Sequence, residues 1–327
     1  MEAPAPGEVL VDIQPQINIE TSLNGGTKLS ERAVQLENDF KRVAEAFAEK
    51  RVHWRQTQVD AMRADGARPF MVFTQIVGEY SRADNIFCGI NGEADHKVVS
   101  QYLRGEAATA DGDTRDVLTW LADKGEELAA HRGVVKDFLI VDQLTDPRNY
   151  EEGRVVDEDT GFFNSSLGDI DTRVLPETAK SGIVRRISET RGRILSWKEE
   201  RGTYAAMGKE LLPFINPRNP ESVSPVVENG TRSDGPGQKW REATDSAEAW
   251  TQSTSVAISE GDSQKAGGAL LDFMNKLTGA EAILESQYYH VGVGLLRAAA
   301  SGRLPEGCRS IIKGDLAKAA TPVAAQV

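Results

Sequence analysis

Apolar residues at Leu29, Ala33, Leu36, Phe40, Val43 and Phe47 follow one another in alternating steps of four and three, and a similar rhythm returns at Ile183, Ile187, Ile194, Trp197, Tyr204, Met207 and Leu211. A helix completes a turn in about 3.6 residues, so these steps place each set on one face, whereas a strand would need steps of two. Two stripes of that length must be covered by other helices. The spacing therefore predicts a mainly α fold, a helical bundle. Beyond Phe47 the first stripe is too mixed for a two-stranded coiled coil.

Around these stripes the chain divides by composition. Residues 1–28 are expected to form an extended N-terminal arm, because Val9, Val11 and Ile13 alternate, Pro15 interrupts, and Ile17 and Ile19 resume. Alternation broken by a proline suits an edge strand or a strap, laid on its own domain or donated to a neighbour. A helical domain is expected over 29–213. Its first helix begins after Gly25-Gly26, with Ser30 as N-cap and Leu29 stapled to Val34, and ends near Asp65. Pro69 opens a segment with Phe70, Phe73, Ile76 and Tyr80 at helical intervals, a buried strand being the alternative. Gly89, Asn91 and Gly92 predict a loop before a short helix over 95–104. Asp113 is expected to cap Val117, Leu118, Leu121 and Leu128, and Gly133 to break or bend that helix before Val134, Val135, Phe138 and Leu139.

From Asp142 to Thr172 nine acidic residues face two basic ones, and Val155-Val156 and Phe162-Phe163 flank a polar turn, so a small β-hairpin insertion is expected near 145–172. Pro176 opens the second long helix, where Gly182, Gly192, Gly202 and Gly208 suggest bends or close helix contacts. Five prolines between Pro213 and Pro236 predict a Pro/Gly-rich linker over 214–238. A C-terminal helical unit over 239–327 then carries Trp240, Ala243, Ala247 and Trp250, followed by Leu270, Phe273, Met274 and Leu277. A separate helix is expected from about Ala280, and a frayed or docked tail from Ala317.

The chemistry available to this chain is narrowed by what its motifs lack. Asn229 to Trp240 carries Gly230 and Gly235 at the spacing of a phosphate loop, but Pro236 and Gly237 stand where Lys and Ser or Thr are needed, and a proline removes a phosphate-binding N–H. The stretch reads as the end of a hinge. Asp157 and Asp159 invite calcium, yet Phe162 and Gly168 occupy the positions an EF-hand reserves for Gly and Glu. His53, His96, His131 and His290 share no short ligand spacing, and Cys88 and Cys308 cannot make a zinc site alone. No Gly-x-Ser-x-Gly and no dinucleotide fingerprint is present. No catalytic residue, cofactor site or metal ligand is therefore assigned.

Charge gives the remaining constraint. With 50 acidic against 38 basic residues the net charge is -12, which disfavours generic attraction to nucleic acid or anionic membrane. The apolar run from Val291 to Ala300 is interrupted by Arg297 and is about half the length a bilayer span needs. No signal peptide is seen behind Met1, and two distant cysteines suit a reducing compartment, so a cytoplasmic or virion location without membrane contact is expected.

One basic stripe stands against this background. Arg185, Arg186, Arg191, Arg193, Lys198 and Arg201 face Glu189, Glu199 and Glu200, with Trp197 and Tyr204 nearby. Arg185, Arg186, Arg193, Trp197 and Arg201 are the candidate contact for a polyanion or another subunit. The expectation is a non-catalytic structural protein, such as a virion coat (capsid) or filament subunit, that assembles as a homo-oligomer through its arm and charged faces. One alternative is a nucleic-acid-packaging coat protein using the stripe. Another is an enzyme whose site gathers distant residues, for instance Cys88 or His131 with carboxylates.

Overall fold

A computed structural model describes residues 25–80, 88–151, 155–156, 177–218, 247–260 and 262–320. Eight α-helices account for nearly all of them: α1 Gly25–Ala64, α2 Pro69–Tyr80, α3 Cys88–Ala107, α4 Gly112–Thr145, α5 Glu177–Ile215, α6 Ala247–Ser259, α7 Ser263–Ala300 and α8 Glu306–Ala320. No strand occurs among the described residues. The mainly helical expectation holds.

The boundaries follow from local chemistry. Pro69 starts α2, where its missing N–H costs nothing. The Asp262 side chain caps α7 by accepting from the Gln264 and Lys265 amides at 3.1 Å, a device that contributes about 1 kcal/mol. Two helices end on glycines in the left-handed region, Gly66 at φ 77° and Gly302 at φ 65°. After Gly66 the Ala67 amide donates back to Met62, and after Gly302 the Arg303 amide donates back to Ala298, which closes both last turns.

Packing is helix on helix. α3 lies between α1 and α4 and also touches α2, while α7 runs against α2, α4, α5 and α6, and α8 closes over α4 and α5. The α5 stripe is buried at Ile183, Ile187, Ile194, Trp197, Tyr204, Met207 and Leu211, and the α1 stripe at Ala33, Leu36, Phe40 and Val43, with Phe47 half-buried. With Phe73, Leu121, Phe138, Phe273 and Tyr288, the α5 stripe and Leu36, Phe40 and Val43 belong to one continuous core. At the end of α5, Arg297 of α7 donates to the Phe214 and Ile215 carbonyls at 2.8 and 3.0 Å, filling acceptors that a helix end leaves open.

Several expected breaks do not occur. α1 begins at Gly25, so Ser30 lies inside it and is not the N-cap, and residues 25–28 are helix and not arm. Gly89, Asn91 and Gly92 are helical, and α3 is twice the predicted segment. Gly92 serves a close contact there and not a turn, as described below. α4 starts after Asp111, whose side chain makes no cap bond, and passes through Gly133 unbroken. α5 continues through Pro213, α7 continues through Ala280, and α8 reaches Ala320 where a tail was expected. A glycine in a helix costs only about 1 kcal/mol, less than the apolar burial that continuity brings to these helices. No close contact is made at Gly182, Gly192 or Gly202, which have open space beside them. The expected arm over 1–24, most of the expected hairpin and most of the expected linker lie outside the described residues. At the start of the segment where the hairpin was expected, Pro147–Tyr150 forms a 3-10 turn.

Candidate functional site

Neighbouring residues on a helix point about 100° apart, so a charged dipeptide in a bundle interior can address two different helices. Two dipeptides do so here. On α3, Asp95 faces α1 and receives Arg51 at 2.8 Å and Arg55 at 2.7 Å, while His96 faces α7 with Nε2 2.9 Å from Glu285 Oε1. On α4, His131 faces α5 with Nε2 3.2 Å from Glu200 Oε1, while Arg132 faces α7 and pairs with both Glu281 and Glu285. Gly92 leaves the room that the Arg132 side chain occupies. The network ties α1, α3, α4, α5 and α7 together.

Its electrostatics follow from burial. Arg55, Asp95, His96, Arg132, Glu281 and Glu285 are all buried. Loss of hydration disfavours the imidazolium of His96, the Arg132 guanidinium repels it, and its pKa falls to about 4. Neutral His96 can then donate its Nε2 proton to Glu285, and its Nδ1 is buried without a protein partner. Burial raises the Glu281 carboxyl, against the pull of Arg132. Beside the second pair, Trp197 Nε1 and Tyr204 OH are buried without a protein partner, and burial raises Glu127 and holds Tyr204 well above its ordinary range; Ser100 Oγ, near Gly125, is likewise buried without one. Each unpartnered buried group costs about 1–3 kcal/mol. Such pairs have acid–base chemistry, but a general base must reach a substrate proton, and these lie within the packed core.

The α1 end of the network shapes the surface. Trp54 is 49% exposed, and the guanidinium carbons of Arg51 and Arg55 each stand 4.4 Å from its ring centroid. Because both arginines are bound to Asp95, the indole sits beside a fixed cationic clamp. His53 and Val52 beside it are exposed.

The basic stripe is dispersed. Arg185 is exposed, 3.7 Å from Glu189, and Arg193 is exposed as well. Arg186 reaches across to Glu37 of α1, and Arg201 is half-buried. Trp197 is fully buried, its ring 5.0 Å from that of His131, so it presents no stacking surface. His131 does meet a carboxylate, Glu200, whereas the Cys88 side chain lies outside the described residues. An open groove of about 620 Å³ between α3 and α4 has its charges already paired, Lys97 and Lys136 with Glu93, and Arg104 with Glu126. No group of His, Cys, Asp and Glu able to hold a metal occurs among the described residues.

Sequence reasoning missed Trp54, Asp95, Arg132, Glu281 and Glu285. A signal for the last two existed: with Leu277, Leu284 and Tyr288 they sit on one helical stripe, so two acidic residues interrupt an apolar face.

Among known proteins the chain matches no family model, no curated protein and no solved structure.

Proposed function

We propose that the protein is a non-catalytic structural subunit, of the kind that builds a virion or filament, and that it associates with copies of itself through outward helix faces. The clamp of Arg51 and Arg55 on Trp54 carries this reading. Trp and Arg dominate the energetic centres of protein interfaces, and a side chain held before binding loses less freedom on docking. Here both guanidiniums are anchored on Asp95, so the exposed indole is backed by ordered charge. On α5 the exposed Arg185, Arg193 and Leu195 offer the charged face that such a contact surrounds itself with.

Light scattering on the purified protein tests it. The parent should form a multimer whose mass falls on dilution, and Trp54→Ala should raise the dissociation constant at least tenfold without loss of helicity. A monomeric parent at high concentration would sink the reading.

A second reading, an enzyme acting through His131 and Glu200, is favoured by the 3.2 Å contact between them. A histidine-modifying reagent separates the two: an enzyme requires His131 to react in the native state, as exposed His53 must. Inertness of His131 until unfolding counts against catalysis there. The nucleic-acid alternative draws on Arg185 and Arg193, and predicts salt-dependent binding that changing both to Glu abolishes.

A further inference from the structure

Buried charges are tolerated when they cancel, and at the junction of α3, α4 and α7 they do not. Arg132 pairs with Glu281 and Glu285, and His96 bonds Glu285, all four side chains being 2% exposed or less. Two carboxylates against one guanidinium leave a negative charge over. The surrounding cations have partners of their own. From α1, Arg51 and Arg55 are bound to Asp95 of α3; from α3 and α4, Lys97 and Lys136 are bound to Glu93; and His131 of α4 is turned to Glu200 of α5.

We infer that His96, Arg132, Glu281 and Glu285 form a buried proton-binding site, holding one proton on Glu281 at neutral pH and locking α7 onto α3 and α4 while it is held. The distribution of donors selects the carrier. Glu285 is addressed by two side chains, His96 and Arg132, which stabilise its negative form, whereas Glu281 is addressed by Arg132 alone. His96 is excluded as carrier because burial and the neighbouring Arg132 guanidinium both disfavour an imidazolium there. Burial acts on Glu281 in the same direction by raising its carboxyl. The site goes beyond the assembly reading and does not depend on it.

The linkage has a definite sign. A carboxyl that binds its proton more tightly when folded contributes stability that is complete below its unfolded pKa and lost as pH rises through the folded one. Between those two values the folding constant falls by about tenfold per pH unit, because the unfolded chain has released a proton that the folded chain still holds. Loss of the proton leaves an uncompensated charge at the place where α7 meets α3 and α4.

Infrared spectroscopy of the full chain at neutral pH, with denaturation measured across alkaline pH, tests the inference. The parent should show the carbonyl stretch of a protonated carboxylic acid, and Glu281→Gln should remove it and flatten the alkaline decline. Glu281→Met, apolar and of similar length, should do the same if the glutamine variant fails to fold. A parent without that band, or a band and alkaline decline that survive either substitution, overturns the proposal.

Discussion

Gly92 of α3 lies so close to the side chain of Arg132 on α4 that a β-carbon on it would stand 2.9 Å from both Cδ and Nε of the arginine. The glycine fixes where the guanidinium sits, and so how it meets Glu281 and Glu285. Gly92→Ala should push Arg132 off its partners and destabilise the fold by about 1–3 kcal/mol, the usual cost of overpacking. Urea denaturation reads it as a lower midpoint at unchanged slope. An unchanged midpoint would show that the arginine has room to move.

Two other glycines make a matched pair. A β-carbon on Gly292 of α7 would collide with the Phe73 ring, whereas one on Gly192 of α5 would meet nothing within 4 Å. Gly292→Ala should cost about 1–3 kcal/mol. Gly192→Ala should instead gain about 0.5–1 kcal/mol, by restricting the unfolded chain. Thermal melts of the two variants should move in opposite directions, and a shared direction would contradict the packing described.

Asp95 is the counter-charge of Arg55, whose side chain is 0% exposed. Asp95→Ala takes this carboxylate from a guanidinium that stays buried beside Gln58, which should cost about 3–5 kcal/mol. The same change frees the clamp on Trp54, so any self-association should weaken beyond the loss of stability. Replacement with a loss under 1 kcal/mol would mean that water reaches Arg55.

His96 sets the acid limit. Its folded pKa of about 4 lies below the ordinary 6.5, so the stability that its neutral form carries is complete above 6.5 and lost as pH falls through about 4. Over that interval the parent should lose stability, read as the denaturation midpoint, relative to His96→Gln as pH falls, the opposite contribution of the Glu281 proton being common to both. Parallel profiles would remove His96 as the source.

The helices were legible where apolar periodicity was long, as at Leu36, Phe40 and Val43, and at Ile183, Ile187 and Ile194. Their continuity was not. Gly89, Gly92, Gly133 and Pro213 carry the local chemistry of breaks, and only neighbouring helices decide that they are passed over. The interior network was hidden for a related reason. Asp95-His96 and His131-Arg132 have the look of solvated helix positions, and nothing in one chain's spacing says that partners 189 residues apart, His96 and Glu285, will meet. Trp54 falls in step with the first apolar stripe beyond Phe47, yet its side chain turns to the surface while Arg55, one residue on, takes the interior position.

Pro213 has no amide hydrogen to give to the α5 ladder, and the last carbonyls of that helix are met by Arg297, more than 80 residues later. The end of α5 therefore cannot mature during synthesis until α7 has emerged and docked. A nascent chain stopped before Arg297 holds its second long helix open at one end, where chaperones or a neighbouring chain can find it.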